Sequence, residues 1–264
     1  MKQITLLILN SLSLVAALYV NYLGANARLG SYDVSDISSL YENLFTPAAY
    51  AFGIWGLIYF LLLTFVVYQW YAWIRTRDDY ELKRTGLLFT LSNILNAFWI
   101  YAWVNDRPGI SLLLMFALLA VLIFLVFRLR LEIWDAPVRI IAFVWWPVCI
   151  YTAWVILASI ANFSAWLVSL GWNGGFLSEI AWSIIMLLIA TAIYVLMIYY
   201  RNMREAALVG IWGMIAIAVR QWTLNPVVAY VAIAASFLLF VYVIAHAYKN
   251  RETSPIRKIQ RQEI

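Results

Sequence analysis

FTPAAYAFGIWGLIY, residues Phe45–Tyr59, is the stretch of sequence that indicates the architecture of this chain most directly. It joins one proline, several small residues and five aromatic rings without a charged side chain. Pro47 suits the first turn of a helix, where a missing N–H costs nothing. Gly53 and Gly56 would let a neighbouring helix or a flat ligand approach the backbone closely. We therefore predict that a membrane-spanning helix begins here.

The rest of the chain has the composition of a membrane protein. Of its 264 residues, 66% are hydrophobic and 12% are charged, whereas about 25% of residues are charged in a soluble domain. One crossing takes about 20 apolar residues, so the uncharged runs predict an all-α, polytopic transmembrane helix bundle of about eight helices. These runs are Gln3–Ala27, Asn43–Ile74, Thr85–Asn105, Pro108–Phe127, Ile140–Ser178, Ile180–Tyr200, Ala206–Val219 and Gln221–Tyr248.

The net charge of +5 is explained by membrane topology. If the N-terminus is cytoplasmic, all but three of the 18 lysines and arginines fall at cytoplasmic ends; the exceptions are Arg28, Arg107 and Arg220. The positive-inside rule then predicts a multi-pass protein of a bacterial-type cytoplasmic membrane with both termini cytoplasmic. Membrane lipid is the predicted surrounding partner, and nucleic acid has no place in this interpretation.

Three motifs, in the right order, resemble the TspO/MBR family, the tryptophan-rich sensory proteins related to the mitochondrial translocator protein. Phe52-Gly53-Ile54-Trp55 is similar to the core of the W-x-P-P-x-x-x-F-G-x-V-W signature of the family's second helix, with one proline where the family usually shows two. Asn93–Gly109 looks like the third helix, with its N-x-x-W and R-P-G patterns. Trp154–Asn162 is similar to the W-x-x-F-A-x-x-L-N pattern of the fifth. Pro147 lies about one helical turn farther from this tryptophan than the family proline does, which makes Tyr151 a rival for the tryptophan's role.

The resemblance implies three parts. Residues 1–168 form a TspO/MBR-like five-helix membrane region, residues 169–248 add three transmembrane helices, and residues 249–264 form a polar cytoplasmic tail. The chain is therefore interpreted as a long-form relative with extra C-terminal helices. Cleavage of the first helix as a signal peptide is left open, since Ala25-Asn26-Ala27 looks like a cleavage site.

The matched motifs place aromatic and amide residues in stripes at helical intervals. If these stripes face inward, ring faces and a few amides line a cavity suited to a flat, hydrophobic molecule with polar edges. The alternatives are ordinary helix packing for the aromatic residues and hydrogen bonding between helices for the amides. The predicted ligand-binding residues are Phe52, Trp55 and Tyr59 in the second helix, Asn96, Trp99 and Trp103 in the third, and Tyr151, Trp154 and Asn162 in the fifth.

The resemblance implies a membrane receptor or sensor that binds a planar lipophilic molecule of the tetrapyrrole type, with porphyrin or haem as a ligand and no resident cofactor. A carrier of a small lipophilic or amphipathic solute is the alternative, and a scaffold whose aromatic residues only pack helices is a third. A homodimer is left open.

The sequence contains no recognisable catalytic motif, such as a Ser-His-Asp group or a nucleotide-binding loop. The lone Cys149 and the lone His246 leave no constellation of protein ligands for zinc or haem. We therefore predict no catalytic residue and no metal site, and enzymatic activity is left open but disfavoured.

Arg220 ends the seventh apolar run on the side where positive charge is disfavoured. We expect its long side chain to reach lipid headgroups, or to bind an anionic ligand or the carboxylate of Glu42 or Glu179.

Overall fold

The structure is a computed structural model that describes residues 2–77, 79–172 and 174–261. Within these residues it is all-helical, and its eight long helices confirm the predicted polytopic bundle. Six of them are long and apolar enough to cross a membrane, whereas α3 is shorter and α7 carries more charge. The helices are α1 Gln3–Ala25, α2 Ala49–Thr76, α3 Leu88–Val104, α4 Pro108–Arg128, α5 Val138–Ser169, α6 Glu179–Arg201, α7 Arg204–Gln221 and α8 Pro226–Lys249.

Two of these helices change their winding along their length. Helix α2 begins as a 3₁₀-helix over Ala49–Gly53, continues as an α-helix and ends in a π-helical turn. Pro47 therefore lies just ahead of the helix and not in its first turn, where the sequence placed it. Helix α5 has a π-helical turn over Ile141–Trp145, directly before Pro147. Proline has no N–H to donate, and the π turn changes the regular hydrogen-bond pattern of the helix next to it.

Helix α5 forms the centre of the bundle. Of its most apolar window, 78% is buried, against 28–44% for the other five candidate spans. It packs against α2, α4, α6 and α7. Close approach to α7 depends on Gly213, because an added Cβ there would lie 2.0 Å from Leu157 Cδ2.

Buried amides join the first three long helices. Asn10 donates to Gln69 Oε1 at 3.0 Å and accepts from Thr90 Oγ1 at 2.8 Å, while Asn21 donates to Asn96 Oδ1 at 2.6 Å. All five side chains are buried. Since lipid offers no alternative partner, such bonds favour one alignment of α1 against α2 and α3.

Helices α6 and α7 pack directly on the first five, and α8 packs on α6 and α7. Ala48 N donates to Ala216 O at 3.0 Å, and Trp212 Nε1 donates to Ala51 O at 3.2 Å, so α7 holds the start of α2. Tyr194 on α6 donates to Ala153 O in α5 at 2.9 Å. The position of the FGIW motif therefore depends on helices that lie far along the chain.

Both ends of the described chain lie at one end of the bundle, which we call the basic end. It carries the α2–α3, α4–α5 and α6–α7 connections and the tail after Lys249. Gln3 Nε2 donates to Asp79 Oδ2 at 2.9 Å, which places the start of α1 beside the α2–α3 connection. Lys258 of the tail pairs with Asp135 in the α4–α5 connection.

The opposite end is held by an ion pair. Arg220 at the end of α7 lies with Nη2 2.7 Å and Nε 3.0 Å from Glu42 Oε1. Of the partners proposed for Arg220, the structure therefore selects the carboxylate of Glu42. The polar connection before it contains a short helix, Val34–Leu40, whose first turn is capped by Asp33 and Asp36.

Candidate functional site

Helices α2, α3 and α5 bring their aromatic stripes together around Trp55. Its ring centroid lies 5.4 Å from that of Tyr59, 5.9 Å from Trp99, 6.0 Å from Tyr151 and 6.4 Å from Trp154. The planes of Tyr59 and Trp99 are within 22° and 30° of the Trp55 plane. Three residue sets that are distant in sequence thus form one aromatic cluster, centred on Trp55.

Two cavities adjoin this cluster, and Phe52 and Trp55 line both of them. The smaller cavity, of about 40 Å³, lies toward α5 and also contacts Trp103, Trp154 and Asn162. The larger cavity, of about 250 Å³, lies between α1, α2 and α3. Because a water molecule occupies about 30 Å³ in the liquid, the smaller cavity holds little. The aromatic rings themselves fill most of the space that the stripes were predicted to line.

Several polar atoms of the cluster are buried and have no hydrogen-bond partner among the described residues. They are Tyr59 Oη, Trp99 Nε1 and Trp154 Nε1. Buried polar groups in folded proteins are nearly always hydrogen-bonded, so each such exception requires a reason. All three atoms can donate, which suits a ligand that carries acceptor atoms along its edge.

The two predicted amides have structural partners. Asn96 accepts the bond from Asn21 of α1, and Asn162 Nδ2 donates to Ser111 Oγ of α4 at 3.1 Å. Both therefore connect helices, as the alternative interpretation holds. Asn162 also lines the smaller cavity, whereas Asn96 and Tyr151 line neither of the two cavities described.

Helical periodicity did not reveal the loop that covers the smaller cavity. Tyr41, Asn43 and Phe45 line it from the connection before α2. Tyr41 Oη donates to Asp106 Oδ1 at 2.6 Å, and this bond raises the pKa of Tyr41 to about 12, with burial as a smaller cause. A loop has no repeating face, so spacing alone contained no signal for these residues.

The expected close approach of another helix at Gly53 and Gly56 is not found. A Cβ added at either glycine would meet no atom within 4 Å, and both residues are exposed. They lie on the outer face of α2, on the opposite side from the packed core.

A sequence model of the family described as TSPO-like protein matches residues 7–245. The chain therefore belongs to the TSPO-like family and is an integral, multi-pass membrane protein of the TspO class. The matched range continues through α6, α7 and most of α8. No curated protein and no solved structure matched the chain.

Proposed function

We propose that this protein is a membrane receptor that binds a planar lipophilic ligand, with the chemistry of a tetrapyrrole, within the aromatic cluster around Trp55. The observation that carries this proposal is that Phe52 and Trp55 form a shared wall between two cavities. A ring that separates two cavities creates a larger site when it moves.

The stacking geometry favours a flat ligand. Trp55 lies nearly parallel to Tyr59 and Trp99. If the Trp55 ring rotates toward the larger cavity, the planar space that it leaves faces aromatic surfaces already in stacking orientation. Offset stacking of this kind is worth about 0.5–1.5 kcal/mol per pair beyond the burial of apolar area.

The unpartnered donors supply polar recognition. Tyr59 Oη, Trp99 Nε1 and Trp154 Nε1 would each gain an acceptor from the carboxylate or carbonyl edge of the ligand. Leaving a buried donor unsatisfied costs about 1–3 kcal/mol. Ligands without edge acceptors would therefore bind less tightly than a porphyrin dicarboxylate of the same size.

A receptor agrees with the packing better than a carrier does. A carrier needs a path from the cluster to the basic end. Along α2 that direction is filled by the buried side chains of Ile58, Leu62 and Phe65. The larger cavity instead lies between α1 and α2, beside Tyr22 and Ala25, which gives a ligand access from the lipid.

Titration of the purified protein with protoporphyrin, followed by tryptophan quenching and the Soret band, tests the proposal. Trp99→Phe keeps the aromatic ring but removes a donor, so we expect about two- to tenfold weaker binding. Trp222→Phe is the matched control, because Trp222 is exposed at the end of α7 and pairs with Tyr230, outside the cluster. Equal weakening in both variants, or no Soret shift in the wild-type protein, would contradict the proposal.

A further inference from the structure

A third cavity, of about 260 Å³, lies at the basic end of the bundle. Its walls come from the α4–α5 connection, the start of α5, the start of α7 and the short tail helix Pro255–Gln260. The cavity meets α5 at Trp145. This residue lies roughly 13 Å from Trp154 along the helix axis, at a rise of 1.5 Å per residue. The cavity is thus a site separate from the aromatic cluster.

Two glutamates each place a carboxylate oxygen without a hydrogen-bond partner, among the described residues, at this cavity. Glu132 Oε1 and Glu205 Oε2 are buried and have no hydrogen-bond partner among the described residues. The other oxygen of Glu205 accepts from Trp146 Nε1 at 3.2 Å. Neither carboxylate has a Lys or Arg nitrogen within 4.0 Å in the ion pairs of the described chain.

Burial of these carboxylates without a counter-ion changes the pKa of Glu132. Burial raises the pKa of the Glu132 carboxyl well above its ordinary value, with a further contribution from the nearby Glu205. Arg204 acts in the opposite direction but does not offset the burial. Carboxylates that are buried without a counter-ion are unfavourable, and a bound cation would relieve this.

Lys258 is not the missing counter-ion. Its side chain is buried at 3% exposure, where the ammonium pairs with Asp135 and donates to Ala136 O at 2.7 Å. These bonds fasten the tail helix over the cavity. The ion pair of Lys258 among the described residues is therefore with Asp135 and not with Glu132 or Glu205.

Aromatic rings form the apolar side of the cavity. Trp145 is only 2% exposed and lines the cavity. Trp134 packs edge-on against it, with ring centroids 5.6 Å apart. Tryptophan faces and carboxylates are the two groups that proteins use to hold organic cations.

We propose that this cavity binds an organic cation that carries a primary ammonium group, held between Glu132 and Glu205 with its carbon chain against Trp134 and Trp145. An ammonium has three donors, which can satisfy both unmet carboxylate oxygens at once. A metal ion fits less well, because no group of three or more His, Cys, Asp or Glu residues in the described chain is placed to hold one. An anion fits less well, because the unpartnered oxygens of Glu132 and Glu205 are acceptors and would repel an anion when they are ionised.

Calorimetric titration of the full chain in nanodiscs with n-butylamine tests this site. We expect saturable binding of n-butylamine, no binding of n-butanol and at least about tenfold weaker n-butylamine binding in Glu132→Gln and in Glu205→Gln. Both changes keep the side-chain shape and remove a buried charge, so the fold should tolerate them. Glu179→Gln, at the opposite end of the bundle, is the matched control and should leave the affinity unchanged.

The proposal is overturned if the wild-type protein does not bind n-butylamine, or if the glutamine variants bind it as tightly as the wild type. Binding of inorganic phosphate at this cavity would equally overturn it, since that would assign the site to Arg204 and Lys258.

Discussion

Trp55 is the residue on which the account of the site depends. It is half-buried, contacts four other rings and lies between the two cavities. A tryptophan used only for packing would be expected to have its neighbours in place on all sides. Here one side of the ring adjoins a cavity of about 250 Å³, so the ring has space into which it can turn.

Trp55→Ala should therefore change how fast a planar ligand binds. Removal of the indole joins the two cavities without any ring motion, so we expect protoporphyrin to associate several-fold faster than with the wild-type protein. Stopped-flow quenching of the remaining tryptophans measures this rate. An association rate equal to that of the wild type would show that Trp55 does not limit access.

Tyr41 gives a pH-dependent prediction at the loop. Its pKa is raised to about 12 by the bond to Asp106, so the bond stabilises the fold fully below pH 10. That contribution is lost as the pH rises through about 12, because the ionised phenolate can no longer donate. Asp106→Asn should shift the pKa of Tyr41 back toward its ordinary value. Difference absorbance titration against Tyr41→Phe measures it, and an unchanged value in Asp106→Asn would disprove the assigned cause.

At the scale of helices, the sequence predicts which residues share a helix face better than it predicts the cavities between helices. The i, i+3, i+7 spacing of Asn96, Trp99 and Trp103 is a local property of one helix. The structure places Trp99 and Trp103 toward α2 and α5, whereas Asn96 bonds to α1. The filling of the site by Trp55 depends on side-chain rotation and packing between helices. No spacing within one segment contains that information.

The cavity at the basic end was missed for a related reason. Glu132 and Glu205 are distant in sequence: Glu132 lies in the α4–α5 connection and Glu205 in the first turn of α7. Their proximity results from α6 returning the chain to the end where α5 began. The count of charges explained this region by topology alone. Only the fold shows that each glutamate has one buried oxygen without a hydrogen-bond partner among the described residues.

Two glycines provide a matched test of helix packing. A Cβ at Gly210 would lie 2.4 Å from the Tyr194 ring, which donates to Ala153 O, whereas a Cβ at Gly56 would meet nothing within 4 Å. Gly210→Ala should lower stability by about 1–3 kcal/mol through overpacking. Gly56→Ala should be neutral or slightly stabilising, since alanine favours a helix over glycine. Thermal unfolding in detergent compares them, and equal melting temperatures would contradict the packing of α7 against α6.

At the scale of the whole molecule, the positive-inside rule predicts the orientation of the bundle. We infer that the basic end faces the cytoplasm and that the aromatic cluster lies nearer the other face. Cys149 is the lone cysteine and is buried, so introduced thiols can be labelled selectively. In right-side-out vesicles an impermeant maleimide should label Asp36→Cys but not Glu252→Cys. The reverse pattern would invert the orientation.

The two proposed sites lie at different positions along α5. Toward one end its aromatic residues meet α2 and α3 in the cluster proposed to bind a flat lipophilic molecule. Toward the other end it contributes Trp145 to a cavity in which Glu132 Oε1 and Glu205 Oε2 have no hydrogen-bond partner among the described residues. Because α5 is the most buried of the candidate spans, both proposed sites are built on a well-packed helix.

The central claim is that a planar ligand binds by taking the place of the Trp55 ring. Fluorine NMR of protein labelled with fluorotryptophan tests it directly, with the resonance of Trp55 assigned through Trp55→Phe and that of Trp222 as an internal control. On addition of protoporphyrin, the account predicts a large shift of the Trp55 resonance and an unchanged Trp222 resonance. A Soret shift without any change at Trp55 would place the ligand elsewhere and contradict the account.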